Sequence, residues 1–96
     1  VAYMQLGRTR EAVRQFEATL RVDPAHATAH YNLGVIAMAE NRAADAERHL
    51  RAALASRPAY AEAHNNLGVV LEASGRSGEA EAEYRAALAV RPAHTG

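Results

Sequence analysis

The chain has 96 residues, room for one small domain, and 24 of them are alanine. Eleven arginines balance eleven acids, which argues against nucleic-acid or membrane-surface binding built on bulk charge. The absence of cysteine excludes disulfides and thiolate metal sites, and no apolar run approaches the ~20 residues that span a bilayer. Nothing reads as a signal peptide, although the chain opens on Val1 rather than methionine. The lack of lysine is a bias of the kind a GC-rich genome imposes. A bacterial origin and a cytoplasmic location are the corresponding expectations.

Alanine loses no side-chain entropy in a helix, so the composition favours helices throughout. In chain order, the first segment is expected to hold a short helical remnant, a turn at Gly7, and a helix stopped before Pro24. Next come helices over Thr28–Glu40 and Ala43–Ser56, separated by Asn41, with Pro58 beyond. The last pair is expected over Glu62–Ser74 and Ser77–Val90, separated by Gly75, with Pro92 beyond. Glycine and asparagine best tolerate the left-handed conformation that ends a helix. Glu11, Asp45 and Glu79 stand just after these turns, where the helix dipole favours negative charge. Each proline blocks continuation of the helix before it. Ser56, Ser74 and Ser77 fall at helix ends, where capping accounts for them. Glu47–Arg51 and Glu81–Arg85 have the i,i+4 spacing of surface pairs.

The three prolines lie 34 residues apart, and self-similarity at a fixed period is the mark of a repeat architecture. Residues 27–60 laid on 61–94 give 19 identities in 34 positions without a gap. They include Asn32-Leu33-Gly34-Val35 against Asn66-Leu67-Gly68-Val69. Residues 1–26 match the last 26 positions of the same unit. The expected organisation is a partial repeat over 1–26, full repeats over 27–60 and 61–94, and a tail over 95–96.

The second repeat carries His30-x2-Leu33-Gly34-x2-Ala37, then Ala46-x3-Leu50-x2-Ala53 and Pro58. The third carries His64-x2-Leu67-Gly68-x2-Leu71, then Ala80-x3-Tyr84-x2-Ala87 and Pro92. The partial repeat keeps Tyr3, Ala12-x3-Phe16 and Pro24, with Thr19 where the others have alanine. This pattern resembles the tetratricopeptide repeat family across essentially the whole chain. The resemblance implies an all-α fold, a right-handed superhelical solenoid of helix–turn–helix repeats. Gly34, Gly68, Ala46 and Ala80 are small where the two helices of a unit approach. Leu33, Leu67, Phe16, Leu50 and Tyr84 fill the space between units.

The resemblance also implies a concave groove lined by the first helix of each repeat. Thr28, Tyr31, Asn32, Val35 and Met38 are expected there from the second repeat. Glu62, Asn65, Asn66, Val69 and Glu72 are expected from the third, and Val1, Met4 and Gln5 from the partial one. Asn32 and Asn66 are equivalent, and asparagine is a mediocre residue inside a helix. An amide offers both a donor and an acceptor, so a row of them can hold the backbone of an extended peptide. Their Asn-Leu-Gly context is similar to the asparagine ladder in the repeats of O-linked N-acetylglucosamine transferase. The alternative is that they bond a neighbouring helix or solvent. The carboxylate clamp that other members use for chaperone tails fits poorly, because Glu62 and Asn66 stand where it needs basic residues.

His26 and His30 are four apart, a spacing that can place two metal ligands on one helical face. Yet His26 falls in a turn, and His30 and His64 occupy the family's tryptophan place, so packing is the expected role and no metal is assigned. No nucleophile–base set, phosphate loop or convergent carboxylate pair is present. The chain is therefore read as a non-enzymatic protein-interaction module with a protein or peptide partner. No cofactor, nucleic acid or membrane is implied. Two alternatives stand beside it: a homo-oligomer joined through uncapped repeat ends, or the repeat region of a larger enzyme such as a glycosyltransferase.

Overall fold

The computed structural model describes the backbone of residues 2–90 and the side chains of residues 7–90. Among the described residues there are five helices: α1 (Ala2–Val22), α2 (Ala27–Ala39), α3 (Ala43–Ser56), α4 (Ala61–Ala73) and α5 (Ser77–Val90). Each packs on its neighbours in sequence, and α2 also touches α4 across the repeat boundary. The result is a helical repeat solenoid, with the first helices of successive repeats in contact on one side. No described helix is long and apolar enough to cross a membrane. Residues 91–96, and with them the expected stop at Pro92, lie outside the described residues.

The turns inside the second and third repeats share one hydrogen-bond pattern. Asn41 and Gly75 take φ of 60° and 80°. Asn41 N–H donates to the Met38 carbonyl and Arg42 N–H to that of Ala37. Gly75 and Arg76 repeat these bonds with Glu72 and Leu71. A left-handed residue lets the chain reverse while satisfying carbonyls the helix leaves open. Gly7 departs from this expectation, because α1 runs unbroken through it. Glycine permits a left-handed turn without requiring one, and the helical hydrogen-bond ladder of α1 continues through Gly7. Continuing α1 keeps its backbone bonded, against a propensity cost of about 1 kcal/mol for glycine.

The core is formed from small residues closely packed. Ala46, Leu50, Ala53, Ala63, Leu67 and Leu71 are each 0 % exposed. Glycine permits the approach of α2 to α3 and of α4 to α5. A Cβ on Gly34 would lie 2.9 Å from Leu50 Cγ, and one on Gly68 would lie 2.7 Å from Tyr84 Cε1.

Candidate peptide-binding groove

The helical period sets which residues of α2 and α4 face away from the core. Leu33, Gly34 and Ala37 on α2 are buried, as are Ala63, Leu67, Gly68 and Leu71 on α4. The residues between them are left toward solvent. Thr28, Val35, Glu62, Asn65, Val69 and Glu72 are exposed, whereas Tyr31, Asn32, Met38 and Asn66 are half-buried. Val35 and Val69, equivalent in the repeat, are 37 % and 41 % exposed. Tyr31 and Met38 also pack against the core. Val1, Met4 and Gln5 fall outside the residues whose side chains are described.

The two asparagines differ in their surroundings. Asn66 Nδ2 donates to the Tyr31 hydroxyl at 3.1 Å, bonding α4 to α2. Its carbonyl and second N–H remain for other partners. Tyr31 itself stacks against Tyr60 with ring centroids 4.9 Å apart, and Arg57 lies 4.7 Å from the Tyr60 centroid. Glu72 accepts a 2.9 Å bond from the Tyr84 hydroxyl. The Tyr84 phenol is raised above its ordinary pKa, first by burial and then by that carboxylate.

His26 and His30 do not converge. His26 Nδ1 caps α2 by accepting from Ala29 N–H. His30 instead joins α2 to the preceding turn and to α3: its Nε2 is 2.9 Å from the Pro24 carbonyl and its Nδ1 is 3.2 Å from His49 Nδ1. The third repeat reproduces the device, with His64 Nε2 2.8 Å from the Pro58 carbonyl and Nδ1 2.8 Å from Glu83 Oε1. A carbonyl only accepts, so each histidine donates from Nε2. The Nδ1 of His30 then faces a second imidazole, whereas that of His64 faces a carboxylate. Burial, followed by Arg48 and His30, lowers the His49 pKa. Among the described residues no group of three metal-ligating side chains comes together.

Sequence reasoning missed the ionic joint between repeats. Glu47–Arg51 and Glu81–Arg85 form at 2.9 and 3.0 Å as their spacing predicts. Glu47 has a second partner, Arg76 Nη1 at 2.8 Å, which ties α3 to the turn of the third repeat. Arg76 also grips Glu79 through Nε and Nη2. The Arg76 bond holds the Glu47 carboxyl below its ordinary pKa, against the opposing effect of burial. The 34-residue register offered a signal, since Arg42 and Arg76 sit directly after equivalent turns.

Comparison with known structures places this geometry. MamA aligns over 98 % of this chain and 55 % of its own, with TM-score 0.85 and 18 % identity. A second MamA structure covers 94 % and 49 %, with TM-score 0.82 and 27 % identity. The chain thus spans about half the length of these proteins. The first TPR of Spaghetti (RPAP3), bound to the HSP90 peptide SRMEEVD, aligns over 96 % of this chain and 73 % of its own. Its TM-score is 0.84 and its identity 23 %. No curated protein matches the sequence. The tetratricopeptide repeat family model matches residues 1–47 and again 36–94. Helix pairing, turn geometry, 34-residue register and family match agree: the chain belongs to the tetratricopeptide repeat family.

Proposed function

We propose that this chain is a protein-interaction module that holds an extended peptide along the α2–α4 face. The observation that carries the reading is the row of equivalent pairs there: Asn32 with Asn66 beside the exposed Val35 and Val69. Amides hydrogen-bond a peptide backbone, and the valines give apolar contact to alternate side chains. Thr28, Tyr31 and Met38 extend this surface in the second repeat, and Glu62, Asn65 and Glu72 in the third. Glu62 and Glu72 favour a peptide with Lys or Arg at that end. In this reading the asparagines act as the ladder does in the repeats of O-linked N-acetylglucosamine transferase. Asn66 exchanges or shares its bond to Tyr31 when a peptide arrives. The chain works without catalysis.

A peptide array selects a ligand, and calorimetry then compares the parent with the Asn32→Ala/Asn66→Ala double variant. Weakening of about tenfold follows if two backbone hydrogen bonds of roughly 0.5–1.5 kcal/mol each are lost. Helical circular dichroism should stay nearly unchanged. Equal binding by the double variant rejects the ladder, and an array preferring acidic ligands at the third-repeat end rejects the charge assignment.

A second reading, self-association through the repeat ends, is favoured by one difference. Leu54 on α3 packs against the core, whereas its equivalent Leu88 on α5 is 68 % exposed. Each repeat buries its apolar face against a neighbour, so a second copy is the occupant this reading supplies. Light scattering across a concentration series distinguishes the two readings: a mass constant at the monomer value excludes the second.

A further inference from the structure

The 34-residue register makes the joint between α1 and the second-repeat turn equivalent to that between α3 and the third-repeat turn. The later joint is closed by charge. Arg76 reaches back to Glu47 at 2.8 Å while holding Glu79, and Arg51 lies 2.9 Å from Glu47 and 3.7 Å from Glu79.

At the earlier joint the corresponding residues are Arg42 for Arg76, Asp45 for Glu79 and Val13 for Glu47. With valine in place of the glutamate, and Glu17 in the place of Arg51, Arg42 forms no ion pair with α1 among the described residues. It bonds Asp45 at 2.6 Å and turns to Glu40 at 3.2 Å, with 59 % of its side chain exposed. A cleft of about 370 Å³ lies beside it, lined by Thr9, Arg10, Val13, Arg14, Glu40 and Arg42. Arg10 and Arg14, one turn apart on α1, are exposed, and neither forms an ion pair among the described residues. The rim therefore carries three guanidiniums against the Glu40 carboxylate, with Asp45 bonded to Arg42.

We infer that this cleft receives a glutamate or aspartate side chain from an acidic peptide segment of a partner, in the place that Glu47 fills at the next joint. The guanidinium fork suits a carboxylate, and Val13 offers an apolar contact for its methylenes. None of the lining residues belongs to the α2–α4 groove, so the inference is independent of the groove reading.

The test titrates the 96-residue chain with a capped Gly-Glu-Glu-Glu-Gly peptide, followed by amide NMR shifts. A Gly-Gln-Gln-Gln-Gly peptide and inorganic phosphate serve as controls. The glutamate peptide should move the amides of Thr9 to Arg14 and of Glu40 to Asp45, and the glutamine peptide should not. Arg10→Gln/Arg14→Gln should weaken binding about fivefold, as expected for two exposed charge pairs together worth about 1 kcal/mol. Val13→Glu should abolish binding by restoring the missing carboxylate, and its own signature is a new contact from that side chain to Arg42. Shifts confined elsewhere, equal binding of the glutamine peptide, or undiminished binding by either variant would overturn the inference. So would phosphate binding as tightly as the peptide, which would make the cleft a general anion site.

Discussion

The second and third repeats share 19 of 34 residues, yet they secure their first helices with different chemistry. His30 meets His49 where His64 meets Glu83. Leu50 lies under Gly34 where the Tyr84 ring lies under Gly68. Leu50 is fully buried because α4 covers α3, whereas Tyr84 stays half-buried on the last described helix. A repeat's place in the stack thus decides how much energy a given repeat position carries. Nearest-neighbour burial, rather than the repeat itself, supplies the stability.

The largest expected difference is at this shared packing position. Leu50→Ala should cost ~2–5 kcal/mol, as fully buried leucines do, and Tyr84→Ala clearly less despite its larger side chain. Urea unfolding measures both, and equal losses would mean that coverage by the next repeat is unimportant. Next come the glycines. Gly34→Ala forces a Cβ to 2.9 Å from Leu50 Cγ within the closed core. That overpacking costs roughly 1–3 kcal/mol, offset in part by the ~1 kcal/mol helix preference for alanine. Gly68→Ala meets a Tyr84 ring that can yield toward solvent, so its net loss should be smaller. The comparison breaks if Gly68→Ala proves the more damaging.

Acid should act on the second repeat through its histidine pair. Burial, Arg48 and His30 lower the His49 pKa from 6.5, while Asp45 on α3 and Glu17 on α1 act in the opposite direction. The unfolded chain therefore binds more protons than the folded one below that value. The contribution is complete above pH about 6.5 and is lost as pH falls toward the folded pKa. His49→Glu gives the second repeat the third repeat's type of pair and should reduce the drop in urea midpoint between pH 7 and 5. An undiminished drop would place the acid sensitivity elsewhere. The smallest effect is expected from Leu88→Ala, within about 0.5 kcal/mol as for other exposed sites. Leu54→Ala at the equivalent half-buried place should cost more. If Leu88→Ala lowers stability in a concentration-dependent way, α5 is covered by another copy.

Much of this fold was legible from local chemistry. Asn41 and Gly75 marked their turns because few residue types accept positive φ. Gly7 misled, because a glycine permits a turn without imposing one, and α1 continues through it. The candidate groove residues were expected from the resemblance to the repeat family, on the outer face of each first helix. The period does not tell what a side chain bonds: Asn66 meets Tyr31 and Glu72 meets Tyr84, partners 35 and 12 residues away.

By itself the sequence determined the 34-residue period, the helix pairs and the small residues at their closest approach. These follow from backbone propensity and side-chain volume, which act within a turn or two of chain. Only the tertiary structure decided that Glu47 answers to Arg76, that His30 and His64 brace the turns before them, and that Arg42 faces an open cleft. Those choices depend on which side chains two separately formed helices bring within bonding distance, and that distance is set by the packing of alanine, leucine and glycine between them.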